Sequence, residues 1–355
     1  MEAYLQPQLK NHQEIKNILK QVNVTHVLSD GRKVKTLLVY LPIKNGVSSH
    51  DEFFEKIKNG ILYNFVFSCR EIERKLGIED TNSAKRLFER AIRKISQKTA
   101  KGELGELILF TLLDVYFKAP KILSKISLKT NPRMPVFGAD AVHGQYINGE
   151  FRLYLGESKL YKSFKSAASE AAKSIKTAKD KYSDEFDLLE SYMDFPNIDS
   201  ELEEKLLNLL DPFSKNDISE LIHSPCFIGF AEPEIIGQAV TEDDFVVKYS
   251  ELALAYIGDF YHQVEHHGSN IEEVALIMLP FSCVDVLVDD FKAYLGIKKM
   301  SDFSTKLAAK IKGSNGYIEA SNSLFGSYVL WLTGTTELVE REEVKKTYNI
   351  SSSIL

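Results

Sequence analysis

Gly138-Ala139-Asp140-Ala141-Val142-His143-Gly144 and, across Asn148-Gly149, Phe151-Arg152-Leu153-Tyr154-Leu155-Gly156-Glu157-Ser158-Lys159 are the stretches whose reading decides the fold. Successive side chains of a strand point to opposite faces, so Phe151, Leu153, Leu155, Glu157 and Lys159 share one face. Three apolar residues there give way to a carboxylate and an ammonium. Charges continuing a core-facing row are costly unless they pair, bind a cation or open onto a cleft. Asn148-Gly149 favours a tight hairpin turn, so the first stretch is expected on a neighbouring antiparallel strand. Asp140 then reaches the same end of the sheet as Glu157.

Working outward, Lys125–Thr130, Val136–Ile147 and Glu150–Tyr161 read as three consecutive strands, an antiparallel meander. Upstream, Ser83–Phe117 is expected as one long helix, N-capped by Ser83 and bent at Gly102 and Gly105. Each glycine costs about 1 kcal/mol in a helix interior relative to Ala, which points to close backbone approach at this place. Downstream, Ser163–Tyr182 is alanine-rich and helical, and Cys226–Ala231 a strand. Phe245–His266 reads as a helix, Val274–Pro280 as a buried strand, and Val284–Leu295 as a helix stopped by Gly296. Before all of these come a short helix, strands Val24–Ser29 and Val34–Leu41 joined at Asp30-Gly31, and an amphipathic stretch, Asp51–Lys75.

These elements predict an α+β chain in three parts. Residues 1–80 form an N-terminal α/β module, and 81–296 a domain with a central mixed sheet flanked by helices. An acidic insertion near 184–215 interrupts that domain and would repel phosphates. Residues 297–355 form an extension whose apolar piece, Leu324–Leu332, is too short to span a bilayer. Cys69, Cys226 and Cys283 are far apart and each lies in an apolar stretch, which suits buried thiols in a reducing cytosol. The N-terminus has no signal-like pattern, so the chain is expected to be cytoplasmic.

Asp140 and Glu157 are hard oxygen donors. With the carbonyl of Ser158, water and a phosphate they make a sensible octahedral set for Mg2+ or Mn2+. Such an ion activates water and stabilises a departing oxygen, and Lys159 supplies a point charge beside it. Glu103 and Glu106 lie three apart on the preceding helix and can share a face, offering a further ligand. The plain alternatives are a Glu157–Lys159 ion pair and a solvent-facing acidic pair at Glu103 and Glu106.

The ordered set of helix Glu, strand Asp, strand Glu-x-Lys and following helix resembles the PD-(D/E)xK restriction-endonuclease-like fold. More narrowly, Gly102-Glu103-Leu104-Gly105-Glu106, Gly138-Ala139-Asp140-Ala141-Val142-His143-Gly144 and Leu155-Gly156-Glu157-Ser158-Lys159 are similar to the C-terminal domain of the HamA family, the nuclease subunit of Hachiman antiphage systems. The similarity runs from roughly Ile61 to Gly296. It implies a DNA nuclease in which Asp140 and Glu157 bind metal, Lys159 assists hydrolysis, and Glu106, or second to it Glu103, completes the site. Ala139 replaces the proline of the motif. The resemblance also implies a superfamily 2 helicase partner.

With a formal charge of −6 and a pI near 5.9, no chain-wide field draws this protein to DNA. Lys162, Lys165, Lys173 and Lys176 fall on one arc of the helix after the Glu-x-Lys strand, opposite Ala167, Ala171, Ile175 and Ala178. That arc is a candidate phosphate track, with an ordinary solvated lysine face as its plain alternative. No zinc-finger spacing or RNP-like strand occurs, so cleavage is expected to be indifferent to sequence. Two other functions compete: a catalytically silent nuclease-fold scaffold or regulatory subunit, and a zinc peptidase built on His262-Gln263-Val264-Glu265-His266. His143 lies three residues after Asp140 and is expected to turn away from the metal face.

Overall fold

The computed structural model describes residues 5–76, 82–96, 98–123, 126, 138–147, 149–182, 193, 195, 200–211 and 218–297, and two short strands beyond them. Helix α1 (His12–Ile18) leads into β1 (Lys20–Val22), β2 (His26–Val27) and β3 (Lys33–Tyr40). Gly31, at φ +88°, makes the expected turn between β2 and β3. The β4 (Ile43–Lys44) and β5 (Val47–Ser48) hairpin precedes α2 (Asp51–Lys56), α3 (Leu62–Val66) and α4 (Cys69–Leu76). Helices α5 (Ser83–Ile92) and α6 (Ala100–Val115) come next, then strands β6 (Lys121–Leu123), β7 (Ala141–Ile147) and β8 (Glu150–Leu160). The chain continues through α7 (Phe164–Asp180), α8 (Ser200–Leu210), β9 (Ile222–Ala231) and α9 (Pro233–Gly237). It ends this unit with α10 (Glu242–His266), β10 (Val274–Phe281) and α11 (Val284–Tyr294).

The main sheet runs β1-β3-β10-β9-β8-β7-β6, with β2 paired to β3. Its middle four strands, β3, β10, β9 and β8, are parallel, and antiparallel strands close both sides. Strand β10 is buried along its whole length, as a run of Val-Ala-Leu-Ile-Met-Leu-Pro-Phe requires of a strand covered on both faces. Helices α7 and α10 cover one face, and their Ala167, Ala171, Ile175, Ala253 and Ile257 pack over Cys226, Ile228 and Leu276. Helix α6 lies against β8 and β7, with α11 beside it. The α+β mixed sheet between helices is as expected.

The domain division is not as expected. Residues Met1–Leu295 form one compact unit and Gly296–Leu355 another. Strand β3 pairs in parallel with β10, Ala275 opposite Lys35, so the first 80 residues share the central sheet and no module stands apart. That pairing joins segments some 240 positions apart in sequence, a distance over which hydrophobic periodicity carries no signal. Of the second unit, β11 (Tyr328–Leu330) and β12 (Leu338–Glu340) are described and pair antiparallel. Most of the acidic insertion at 184–215, Lys125–Thr130 apart from Ile126, and the rest of Leu324–Leu332 lie outside the described residues.

The expected long helix is two helices. Ser96 opens the second: its Oγ accepts the Thr99 N–H at 3.3 Å, as a capping side chain does, and its carbonyl accepts the Ala100 N–H at 2.8 Å in a regular ladder bond. Ser83 is the first residue of α5 rather than its cap, with Asn82 preceding it. Helix α7 does begin on a serine cap, Ser163 accepting from Ser166 N. Among the described residues no helix is long and apolar enough to cross a membrane.

A buried carboxylate ties the N-terminus to α6. Asp114, fully buried, accepts the N–H of Gln8 at 2.7 Å and of Leu9 at 3.0 Å, and the His12 ring stands 3.2 Å away. Buried amides stripped of such a partner cost about 1–3 kcal/mol each. Asp114→Ala is therefore expected to lower unfolding stability by about 2–4 kcal/mol in urea titration. A loss within about 0.5 kcal/mol, the usual effect of a neutral surface change, would show that this tie holds nothing.

Candidate active site

Asp140 enters β7 one residue before Ala141, which pairs with Gly156 of β8. Its Oδ2 accepts two hydrogen bonds from one residue of β8: Ser158 N at 2.8 Å and Ser158 Oγ at 2.9 Å. Glycine at 156 makes the approach possible, since a Cβ there would meet Leu109 Cδ2 at 3.0 Å and the Ala141 Cβ at 3.1 Å. Asp140 is thus anchored by backbone and hydroxyl at the strand end where Glu157 and Lys159 sit.

The alternation of β8 holds. Ser158 faces α6, where a Cβ on Gly105 would lie 3.3 Å from its Oγ. Glu157 faces the other way and accepts a bond from Ser174 of α7. It is 7 % exposed, and Lys159 donates its ammonium to Glu157 Oε1. Burial, reinforced by the negative charge of Asp140, pushes the Glu157 carboxyl up to about 7 despite Lys159. Burial works to lower the Lys159 ammonium, but Glu157 and Asp140 together outweigh it and raise it. The ion pair expected as the plain alternative exists; it does not satisfy Glu157.

Of the two helix carboxylates, Glu106 is the one on the Asp140 side. Glu106 and Asp140 line a small cavity with Phe110, Lys121 and His143, whereas Glu103 is buried at 2 % exposure and does not line it. His143 is structural: its Nδ1–H donates to the Ala119 carbonyl at 2.7 Å, and burial drives its pKa down to about 3. Sequence reasoning missed Lys121, buried with its ammonium donating to the carbonyls of Phe65 and Phe67 at 3.0 and 2.7 Å. It also missed Ser174, whose only mark in sequence is a hydroxyl amid alanines.

The donors fit a hard divalent cation in kind. Two carboxylates brought close enough for one to raise the other's pKa are short of positive charge, which such an ion supplies. In number they fit incompletely, because among the described residues no three His, Cys, Asp or Glu side chains stand together as a metal-holding group. Asp140 and Glu157 form the nucleus, and Glu106 lines the small cavity beside Asp140.

Outside this nucleus the lysine arc is largely neutralised. Lys162 pairs with Asp285 at 2.6 Å, Lys165 with Asp259 at 3.4 Å, and Lys176 with Asp180. Lys173 is exposed on the same helix. Exposed pairs are worth about 0–1 kcal/mol, so they dim a phosphate track without closing it. The small face opposite packs on sheet and α10 as expected. His262, Glu265 and His266 are exposed, and Glu265 is committed to the Arg32 guanidinium at 3.1 Å. Cys69 and Cys226 are buried, but Cys283 is exposed at the start of α11, correcting the expectation of three buried thiols.

Two measurements test this geometry. Gly102 has open space where a Cβ would go, so Gly102→Ala is expected to stabilise by about 1 kcal/mol. Gly105→Ala should instead lower Tm by disturbing the Ser158–Asp140 bonds; equal gains from both would remove the close-approach reading. For Glu157, the folded pKa of about 7 exceeds the ordinary carboxyl value of 4.5. Stability from this group is therefore full below 4.5 and lost as pH rises through 7. Without divalent ions, the Tm of Glu157→Gln relative to wild type is expected to rise from pH 5 to pH 8; a flat difference would contradict the raised pKa.

No curated protein matches the chain. A family model does: it spans residues 15–295, reaching upstream of the motifs through β1 and β3 to the end of α11. That span is all but the first 14 residues of the compact unit bearing Asp140, Glu157 and Lys159, and the chain belongs to the HamA family.

Proposed function

We propose that this protein is a Mg2+- or Mn2+-dependent DNA nuclease of the PD-(D/E)xK type, the effector of an antiphage defence system acting with a superfamily 2 helicase. Membership of the HamA family supports the defence role. The observation that carries the chemistry is the electrostatic coupling of Asp140 and Glu157, with Lys159 on Glu157, near the carboxyl end of β8.

In this reading Asp140 and Glu157 would hold the ion, the Ser158 carbonyl and Glu106 would be its further donors, and Glu103 stays structural. A bound divalent ion supplies Lewis-acid activation of water and neutralises charge on the departing oxygen. Asp140 is oriented for its part by the two Ser158 bonds, which keep its carboxylate from rotating. Glu157 positions the Lys159 ammonium, which orients the attacking water or meets negative charge gathering on the scissile phosphate. Lys162, just ahead of the Ser163 cap, and Lys165, Lys173 and Lys176 on α7 would meet the DNA backbone, and contacts of that kind carry no sequence preference.

Purified chain with Mg2+ or Mn2+ and DNA, alone and with any helicase encoded beside its gene, tests the reading. Asp140→Asn, Glu157→Ala and Lys159→Ala are each expected to reduce cleavage about 100-fold or more, the scale of losing a charge-stabilising group. Added metal should raise the Tm of wild type and leave Asp140→Asn unmoved. Wild type inactive in both settings would support the scaffold reading instead. For the α7 track, Lys173→Glu with Lys176→Glu should weaken DNA binding and flatten its dependence on log salt by about one to two units. An unchanged slope would return these lysines to plain solvent.

A further inference from the structure

Positive charge without tight carboxylate partners gathers away from α7. At the amino ends of β3, β8 and β9, a cleft of about 780 Å³ opens between the sheet edge, the β7–β8 turn and α8. That volume is in the range of small-molecule sites, about 300–1,000 Å³. Three cations line it: Lys35 from β3, Arg152 from β8 and Lys205 from α8. The Lys35 ammonium donates to a neutral acceptor, the Glu272 carbonyl, at 2.7 Å. Arg152 stands 3.8 Å from Glu150, with both side chains exposed. Lys205 makes no ion pair among the described residues.

These charges press on one another. Burial and then the charge of Arg152 hold the Lys35 ammonium below its usual pKa, even with Glu272 and Glu273 nearby. His223, opposite Tyr154 in the sheet register, is lowered by burial and then by Lys35 and Arg152. Lys179 adds to that repulsion while Glu273, its ion-pair partner, opposes it. Among the described residues only Glu150 and Glu220 bring carboxylates to the lining; α8 belongs to the acidic segment expected to repel phosphates, but its Glu201, Glu203 and Glu204 do not line the cleft, and Glu203 pairs with Arg70. Beside them Tyr146, Leu209 and Leu221, all partly buried, give the cleft an apolar wall.

We infer that this cleft binds a nucleotide, its phosphates met by Lys35, Arg152 and Lys205 and its base laid against the Tyr146, Leu209 and Leu221 wall. A single carboxylate would engage only one of three spread cations, whereas a polyphosphate or a pair of backbone phosphates engages them together. The flat apolar body of a base suits the remaining surface. The site is separate from the carboxylate nucleus: Arg152 and Glu157 are five residues apart on β8, roughly 16 Å. It does not depend on nuclease activity, and a free nucleoside triphosphate or a nucleotide unit of a strand would both satisfy it.

Calorimetric titration of the full chain in EDTA and low salt decides the matter, with ATP, tripolyphosphate and octathymidylate as probes. EDTA keeps divalent ions from Asp140 and Glu157, so cleavage plays no part. ATP or octathymidylate is expected to bind, the tighter of the two naming the source, and tripolyphosphate to bind more weakly than ATP. Arg152→Glu and Lys205→Glu should each weaken binding about tenfold or more, as loss of a charged phosphate contact does. Arg152→Lys should retain most affinity, and Asp140→Asn all of it even where DNA cleavage is lost. Both charge reversals are at exposed positions, and unchanged melting confirms folding; Arg152→Gln serves if a reversal misfolds. No binding of either nucleotide probe, affinity undiminished in the reversals, or tripolyphosphate equal to ATP would overturn the assignment.

Discussion

Helix α6 can lie against strand β8 only because side chains are missing between them. A Cβ on Gly105 would press on Ser158 Oγ, and one on Gly156 would press on Leu109 and Ala141. Interiors are packed too tightly to absorb an added methyl without local shifts. The contact therefore fixes how deep α6 sits, and with it Glu106 beside Asp140. It also fixes Ser158, whose backbone and hydroxyl hold Asp140 in place. Strand alternation does the rest, turning Glu157 to the opposite side, where α7 supplies Ser174. Asp140 is consequently the hinge of the arrangement, bonded to the residue facing α6 and electrostatically coupled to the one facing α7.

Three buried charges in this fold are handled differently, and the difference separates structure from chemistry. Lys121 finds main-chain carbonyls at the end of α3, neutral dipoles that replace its hydration. Asp114 finds two main-chain amides and the His12 ring. Both are solved problems, and each staples distant segments together. Glu157 has an ammonium and a hydroxyl for partners and is still pushed up to about 7, because Asp140 stands near it. A buried carboxylate kept beside another carboxylate costs stability, and costs of this kind concentrate at functional sites. The same electrostatics make a divalent cation favourable there, since it would relieve both groups at once.

The sequence made the heart of the site readable because the signals there are local. The alternation of β8, the Asn148-Gly149 dipeptide and the motif order require no knowledge of distant partners, and Gly105 announced its close approach. Gly102 announced the same and faces open space. What stayed hidden was set at long range: β3 pairing with β10, and Lys162 and Lys165 finding Asp285 and Asp259. Helical geometry places Lys165, Lys173 and Lys176 on α7 but not Lys162, which precedes the Ser163 cap, and it is silent about acids arriving from α10 and α11. The start of a second helix at Ser96 was local, a serine whose Oγ accepts the Thr99 N–H, but a serine inside a helical pattern does not by itself say whether it caps a new helix or continues the old one.

Polarity along β8 gives the two ends of the molecule different characters. At its carboxyl end the strand delivers Glu157 and Lys159, and α7 starts within a few residues, capped by Ser163. The positive pole of that helix and Lys162 and Lys165 lie where the strand ends, and helix N-termini favour anions. An acidic protein can thus present phosphate-friendly ground at a single edge without a basic surface. Its amino end carries Arg152 beside His223 and Lys35 from neighbouring strands, all brought together by parallel pairing. Parallel strands bring their like ends to one edge, so three segments far apart in sequence gather Lys35, Arg152 and His223 at one edge, while Glu157 lies near the other, where antiparallel β7 begins beside Asp140. The sheet's own direction, more than the chain's net charge of −6, decides where its positive side chains collect.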